Sequence, residues 1–406
     1  MIESWKTLLE SKQFRWLWSG NVVMYCAFSA TLLLRSLLAW RLTGDEMSLA
    51  YINLVTAVCL FITSIFSGAV VDRFERRNLL LVGHCLLLFS ESVILYLLII
   101  EELTFGFLLL SAFAVSCTFS FAMPARTAMV VNSVGRPLFG KATAMLAGGI
   151  NIARMLSPAI AGLIADIGGI HYGYGYLIAL HFVGLVCSLK LDSNRPPSEE
   201  RRGNFLAEVA DGFRYIFGNK PLALCILFGL LPILVVIPFQ NLVVVVVDKL
   251  WGMGGSGMGL MMGAMGTGGL LGSLLMTRVH EKGLVKPMVI STLVMGVFMV
   301  LLSQSPWFHL GLVLTLVVYS ASVLTQALVH TGIQLMAEEK YRGRVTTMTV
   351  MTIGMAPLGT LPLAYAIKTI GPAWGLTIVA SLMVAGVLFM WLALPSFRKI
   401  DEIARV

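Results

Sequence analysis

DSNRPPSEERRGNFLAEVADGFRYIFGNK, residues 192–220, is the longest polar stretch of the chain, and its central position decides how the rest is organised. It opens polar and proline-bearing, as linkers do. It closes with Phe205, Val209, Phe213, Ile216 and Phe217 on one helical face and charges elsewhere, the pattern of a short amphipathic helix lying at a membrane interface. Six apolar runs lie on each side. The expected spans are 14–41, 47–71, 78–100, 104–123, 141–165 and 173–190 before it, and 221–247, 254–279, 285–304, 307–335, 345–368 and 371–394 after it.

Composition requires these runs to meet lipid. The 406 residues are 58% hydrophobic and only 12% charged, with a mean hydropathy of +0.87. Soluble domains carry about a quarter charged residues, so this chain cannot cover a globule of its size with polar groups. Each run is close to the ~20 residues that a bilayer core requires. Lipid offers no hydrogen bonds to the backbone, so spans must be helices or closed barrels. The strict alternation of a barrel strand is missing. The expected fold class is an all-α membrane protein of twelve transmembrane helices in two six-helix bundles, residues 1–191 and 221–406. The first apolar segment is too long for a signal-peptide core and is expected to be retained.

Basic residues orient the spans. Of the 29 lysines and arginines, 24 fall at the N-terminus, in alternate connections, in the central segment and at the C-terminus. By the positive-inside rule these parts are cytoplasmic, so both termini face the cytoplasm. Topology thus accounts for the net charge of +8, and no nucleic-acid partner is expected. The six cysteines lack metal-ligand spacing and are expected to be free thiols inside spans. No phosphate-cradling loop is present, since the glycines of WGMGGSGMGLMMGAMGTGGLLG, residues 251–272, lack the Lys-Ser/Thr that follows one. No enzyme, cofactor or metal chemistry is therefore expected. Gly255, Gly259 and Gly263, like Gly268 and Gly272, recur every four residues, a spacing that lets helices approach closely.

The two halves echo each other. SPAIAG in span five matches APLGTLP in span eleven, and a basic turn precedes a small-residue helix in both halves. Such repeats belong to secondary transporters that rock about a central site. GAVVDRFERR, Gly68 to Arg77, lies between spans two and three. It resembles the loop signature of the major facilitator superfamily, with Glu75 where a glycine is usual. FRWLWSG, WRLTGDEMSLAYINL, AMPARTAMV, NIARMLSPAIAG and YRGRVTTM resemble the superfamily branch of siderophore exporters and drug–proton antiporters. SPAIAG resembles the antiporter signature of span five, with Ser157 in place of glycine. The resemblance implies alternating access between two bundles, with Gly68, Asp72, Arg73 and Arg77 gating the cytoplasmic side.

Ionisable groups inside a bilayer are costly and mark function. Arg35 in span one, Glu91 in span three and Arg154 in span five are such groups, joined by His84, His181 and His330. Trp18, Asn21, Tyr25, Phe28, Leu32 and Arg35 share one stripe of span one, the helix that lines the central cavity in the resembled fold. Arg35, Asn21, Tyr25 and Phe28 are therefore expected to meet substrate, with snorkelling to the outer interface or pairing with a structural carboxylate as the alternatives for Arg35. Gln240 and Asn241 in span seven and Tyr319, Gln326 and His330 on one face of span ten are expected to complete the cavity. Glu91, with His84 two turns earlier and Arg154 at similar depth, reads either as a proton-coupling group or as a structural ion pair.

Arginines outnumber acids within the spans, and the guanidinium fork suits carboxylates. The expected activity is proton-coupled export of an anionic small molecule such as a siderophore, by a monomer in a bacterial cytoplasmic membrane. Efflux of neutral or cationic drugs, siderophore import, and a non-transporting receptor or scaffold are the alternatives.

Overall fold

The structure is a computed structural model. It describes residues 8–193, 214–216, 218–279, 283–338, 354–398 and 400–403, with positions 341, 345 and 352. The chain forms helices α1 (Lys12–Thr43), α2 (Glu46–Arg73), α3 (Arg76–Ile99), α4 (Phe105–Ile167), α5 (Ile170–Leu189), α6 (Lys220–Asn241), α7 (Val243–Trp251), α8 (Gly255–Val279), α9 (Val285–Ser303), α10 (Phe308–Met336) and α11 (Pro357–Ala393), then two single turns. Residues 194–213, which contain Phe205, Val209 and Phe213 of the expected amphipathic helix, lie outside the described residues, as does most of the beginning of the expected span 345–368.

Local chemistry sets the helix ends. The Ser11 hydroxyl accepts the Phe14 N–H, and Gly44 closes α1 in the left-handed conformation at φ 60°. Asp45 caps α2 by accepting the Met47 N–H, and Asn219 caps α6 by accepting the Leu222 N–H. α4 is two helical arms joined at Gly135, where φ 74° and ψ 167° interrupt the helix. α11 is interrupted in the same way at Gly371, with φ 84° and ψ 164°, just before Pro372. Among the described residues, eleven spans are long and apolar enough to cross a membrane, with the two arms of α4 counted apart and α11 counted once. The break at Gly371 makes twelve.

The first arm of α4 differs from the expected span 104–123. The helix continues through Pro124 towards Gly135. Membrane helices tolerate such a proline because neighbouring groups satisfy the freed carbonyl. In consequence Arg126, read from the sequence as part of a cytoplasmic connection, is a buried residue inside the helical bundle.

Two compact units are present: Met1–Glu199 with Met253–Gly263, and Glu200–Gly252 with Ala264–Val406. In the first, α1 runs through the centre and packs most extensively on α4 and α5. Phe14, Leu17, Met24, Leu80, Ala125, Met129 and Met145 form one of its buried clusters. In the second, Leu222, Phe228, Met288, Leu328, Ile333 and Phe397 pack together, with the rings of Phe228 and Phe397 stacked at 5.0 Å.

The outward faces are apolar. On α3, Val82, Phe89 and Tyr96 are more than 60% exposed, whereas Leu80, His84, Leu87, Glu91 and Ile94 are buried. A polar interior behind an apolar exterior is the arrangement lipid demands. Because lipid tails are as apolar as leucine, helices join here by close packing of small residues. Gly162 and Gly255, both in the first unit, show this: a Cβ on Gly162 would overlap the Gly255 carbonyl.

Candidate functional site

The repeat of seven along α3 places His84 and Glu91 two turns apart on its buried face. Glu91 is 1% exposed and Arg35 of α1 is 4% exposed, with Arg35 Nη2 3.8 Å from Glu91 Oε1. Arg35 also donates to the Ser111 hydroxyl of α4 at 3.2 Å. Tyr174 of α5 is fully buried within electrostatic reach of both charges. Three helices therefore hold the guanidinium that α1 contributes.

Two turns further along α3, Arg126 Nη2 of α4 lies 3.2 Å from His84 Nε2. Arg126 fits against α1 because Gly20 has no side chain; a Cβ there would lie 3.1 Å from Arg126 Nη1. The His84 ring in turn packs on Gly184 of α5. His181, one turn before Gly184, has its ring centre 6.1 Å from that of His84. Asn21 is buried nearby in sequence, next to Gly20, and its Nδ2 has no hydrogen-bond partner among the described residues.

A second cluster is aromatic. Phe28 stacks on Phe119 of α4 at 4.4 Å, and Tyr25 meets the edge of the same ring at 5.6 Å. The Tyr25 hydroxyl donates to the Met123 sulfur at 3.0 Å. Arg154, on the second arm of α4, holds its guanidinium 5.8 Å from the centre of the Tyr25 ring. Unlike Arg35, Arg154 is exposed. Ser157, three residues on, donates to the Cys26 carbonyl of α1 at 2.7 Å and fastens this arm against α1.

Arg35, read as a substrate contact or as the partner of a structural carboxylate, is buried beside Glu91. Glu91, for which Arg154 was one expected partner, is paired with Arg35 instead. The physical reason lies in side-chain reach: the long Arg35 side chain extends from α1 to Glu91 of α3, and α4 turns Arg154 towards Tyr25.

In the second unit, Tyr319 is buried and donates to the Val236 carbonyl at 3.3 Å. Asn241 Nδ2 donates to the Thr360 hydroxyl at 3.3 Å, and Gln240 beside it is half-buried. Gln326 and His330 are exposed on one face of α10, with Gln326 Nε2 donating to the buried Ser322 hydroxyl.

At the end of α2, Arg73 is exposed, while Arg77 Nη2 donates to the Leu189 carbonyl at 2.9 Å, a basic group on the last turn of α5. Gly68 and Asp72 lie outside the residues whose side chains are described. All six cysteines are free. Among the described residues, no group of three or more His, Cys, Asp or Glu is arranged to hold a metal ion.

Sequence reasoning passed over Asp166. Its two carboxylate oxygens accept the backbone N–H groups of Gly255 and Ser256, each at 2.7 Å, at the first turn of α8. Phe119 and Ser111 were likewise unmarked, because an aromatic or a serine in an apolar run carries no signal of its own.

Comparison with known proteins agrees with this architecture. Residues 3–406 match the family described as transmembrane secretion effector. The enterobactin exporter EntS of Escherichia coli O1:K1 / APEC is 26% identical over 327 residues, covering 76% of this chain and 75% of that protein. The enterobactin exporter EntS of Shigella boydii serotype 18 is also 26% identical over 327 residues, with the same coverage. Among solved structures, the nucleoside transporter NupG superposes with a TM-score of 0.77 at 14% identity, covering 94% of this chain and 99% of NupG. A D-xylose–proton symporter does so at 0.71 and 15% identity, covering 96% and 99%. The helices, the buried polar interior and the match along almost the entire chain lead to one assignment: this protein belongs to the transmembrane secretion effector family of major facilitator transporters.

Proposed function

We propose that this transporter is a proton-coupled exporter of an anionic aromatic small molecule, with a catecholate siderophore as the favoured cargo. The observation that carries the reading is the exposed Arg154 guanidinium beside the Tyr25, Phe28 and Phe119 rings. A charged arginine at mid-span does not face hydrocarbon at reasonable cost, so an exposed one belongs on a watered path. Flat aromatic surface next to a guanidinium suits a flat anion, which can stack on the rings while its charge meets the fork. Arg35, already paired with Glu91, supports the first unit and leaves anion contact to Arg154.

The positive balance of the spans points the same way. Among the described span interiors of the first unit, Arg35, Arg126 and Arg154 stand against Glu91, while Glu46, also buried, lies at the first turn of α2. A pump for cations would need the opposite balance. Outward direction is supported by the relatives that are named enterobactin exporters. Protons are the favoured coupling ion because Glu91 and two histidines lie inside the first unit. Gly68, Asp72, Arg73 and Arg77 serve as the cytoplasmic gate, on the side set by the basic connections.

Secretion tests this reading in cells. A deletion strain under iron limitation is expected to retain catecholate inside and to release less of it than its parent. Unchanged release together with new sensitivity to cationic drugs would favour drug efflux instead.

A further inference from the structure

The first unit buries more polar capacity than its visible pairings use. Neither ring nitrogen of His181 has a hydrogen-bond partner among the described residues, although the residue is only 3% exposed. Neither Glu91 oxygen accepts a hydrogen bond, since the Arg35 contact is ionic at 3.8 Å. His84 is partly engaged: it meets Arg126 through Nε2, and its Nδ1 has no partner. Arg has no acceptor, so Nε2 must be the unprotonated nitrogen and the hydrogen of the neutral ring sits on Nδ1. Groups this deep are normally satisfied, and ones left open call for a role.

Position along the helices puts His181 between the two ends of this cluster. Gly184 marks the level of His84, whose ring rests on it, and Tyr174, ten residues earlier on α5, is within electrostatic reach of Glu91. His181 lies between those two residues, within electrostatic reach of Arg35 on one side and of the His84 ring on the other. The facing charged and titratable groups are Arg35 from α1, Glu91 and His84 from α3, Arg126 from α4, and Tyr174 from α5.

We propose that His181 is a second proton site of the transport cycle, exchanging one proton with Glu91 and held in place by His84. This inference rests on the proton-coupling reading above. In the exchange, the O–H bond of the Glu91 carboxylic acid breaks and an N–H bond forms on His181, across one bridging water where a direct bond is too long. Glu91 is then a carboxylate beside Arg35, and His181 an imidazolium. The net charge of Arg35, Glu91 and His181 together is the same before and after, and the new carboxylate lies beside the Arg35 guanidinium, which offsets part of the cost of separating charge in a buried site. His84, which accepts from Arg126 through Nε2 and has its ring centre 6.1 Å from that of His181, is a positioning residue.

Two readouts test it. The full chain, labelled with 15N-histidine and held in lipid nanodiscs, reports the His181 ring nitrogens from about pH 5 to 9. The expected result is a titrating His181 whose midpoint moves by about one pH unit or more in Glu91→Gln, as coupled sites require. One unchanging neutral tautomer at every pH, in both proteins, overturns the proposal.

The second readout is transport in proteoliposomes with enterobactin as the probe. His181→Gln keeps hydrogen bonding but cannot carry the proton. It is expected to retain exchange without a gradient and to lose about tenfold or more of accumulation driven by a pH gradient. A variant that responds to the gradient as the wild type does would sink the inference. A wild-type protein indifferent to the gradient overturns proton coupling itself, which is a separate failure.

Discussion

Arg35 Nη2 lies 3.8 Å from Glu91 Oε1, and both side chains are almost completely withdrawn from solvent, so α1 and α3 are joined by a buried charge pair. Breaking such a pair from one side leaves a lone charge in a low-dielectric interior, which costs about 3–5 kcal/mol. Glu91→Gln and Arg35→Met are each expected to lower the thermal midpoint of the purified protein in detergent. The double variant should lose less than the two singles combined. Strict additivity in that cycle would show that the two residues do not act as a pair.

Asp166 makes a different kind of attachment. Its oxygens accept two backbone N–H groups at 2.7 Å, from Gly255 and Ser256, where α8 begins. Asp166→Asn keeps one acceptor oxygen and removes the charge, with an expected loss of about 1–3 kcal/mol at this junction. Hydrogen exchange at residues 255 and 256 should accelerate in the variant. Unchanged protection there would mean that the carboxylate does not hold this turn.

Gly162 offers a steric test in the same region. A side chain at Gly162 meets the Gly255 backbone, whereas one at Gly175 meets nothing within 4 Å. Gly162→Val is expected to destabilise the protein by about 1–3 kcal/mol, the usual range for overpacking. Gly175→Ala on α5 should leave the thermal midpoint almost unchanged. Equal effects at the two sites would contradict the close crossing.

Arg154 separates charge from packing at the aromatic cluster. Arg154→Ala is expected to raise the KM for a catecholate anion about tenfold or more, the scale of one lost charge-assisted contact. Arg154→Lys should recover only part of that loss, because an ammonium lacks the planar fork. A KM equal to wild type in both variants removes Arg154 from the binding site.

The gate assignment makes its own prediction. Asp72→Asn or Arg73→Ala should change how readily a cysteine placed on the cytoplasmic side of α2 reacts with a membrane-impermeant thiol reagent. An unaltered labelling rate in both variants would leave Gly68–Arg77 as an ordinary basic turn.

Much of the fold was legible because lipid leaves a backbone few choices. Apolar runs of the right length must be helices, and the polar break at 192–220 divides them. Arg126 was not legible, since its charge placed it in a connection, whereas α4 runs through Pro124 to Gly135 and carries Arg126 into the interior. Arg35, Glu91, Arg154, His84 and His181 were legible one by one, as costly groups in apolar runs. Their partners were not. Periodicity says which face of α3 carries Glu91, but not which side chain meets that face, so similar depth made Arg154 the expected partner. The reach of Arg35 across from α1 decides that it meets Glu91 and that Arg154 stays open over Tyr25.

Inside-out membrane vesicles test the central claim most directly. Export from the cell becomes uptake into such vesicles, and a respiring membrane acidifies their interior. Proton-coupled export of an aromatic anion predicts that enterobactin accumulates inside, that a protonophore abolishes the accumulation, and that Arg154→Ala reduces it. Vesicles that leave enterobactin outside while concentrating a cationic dye in a protonophore-sensitive way would contradict the account.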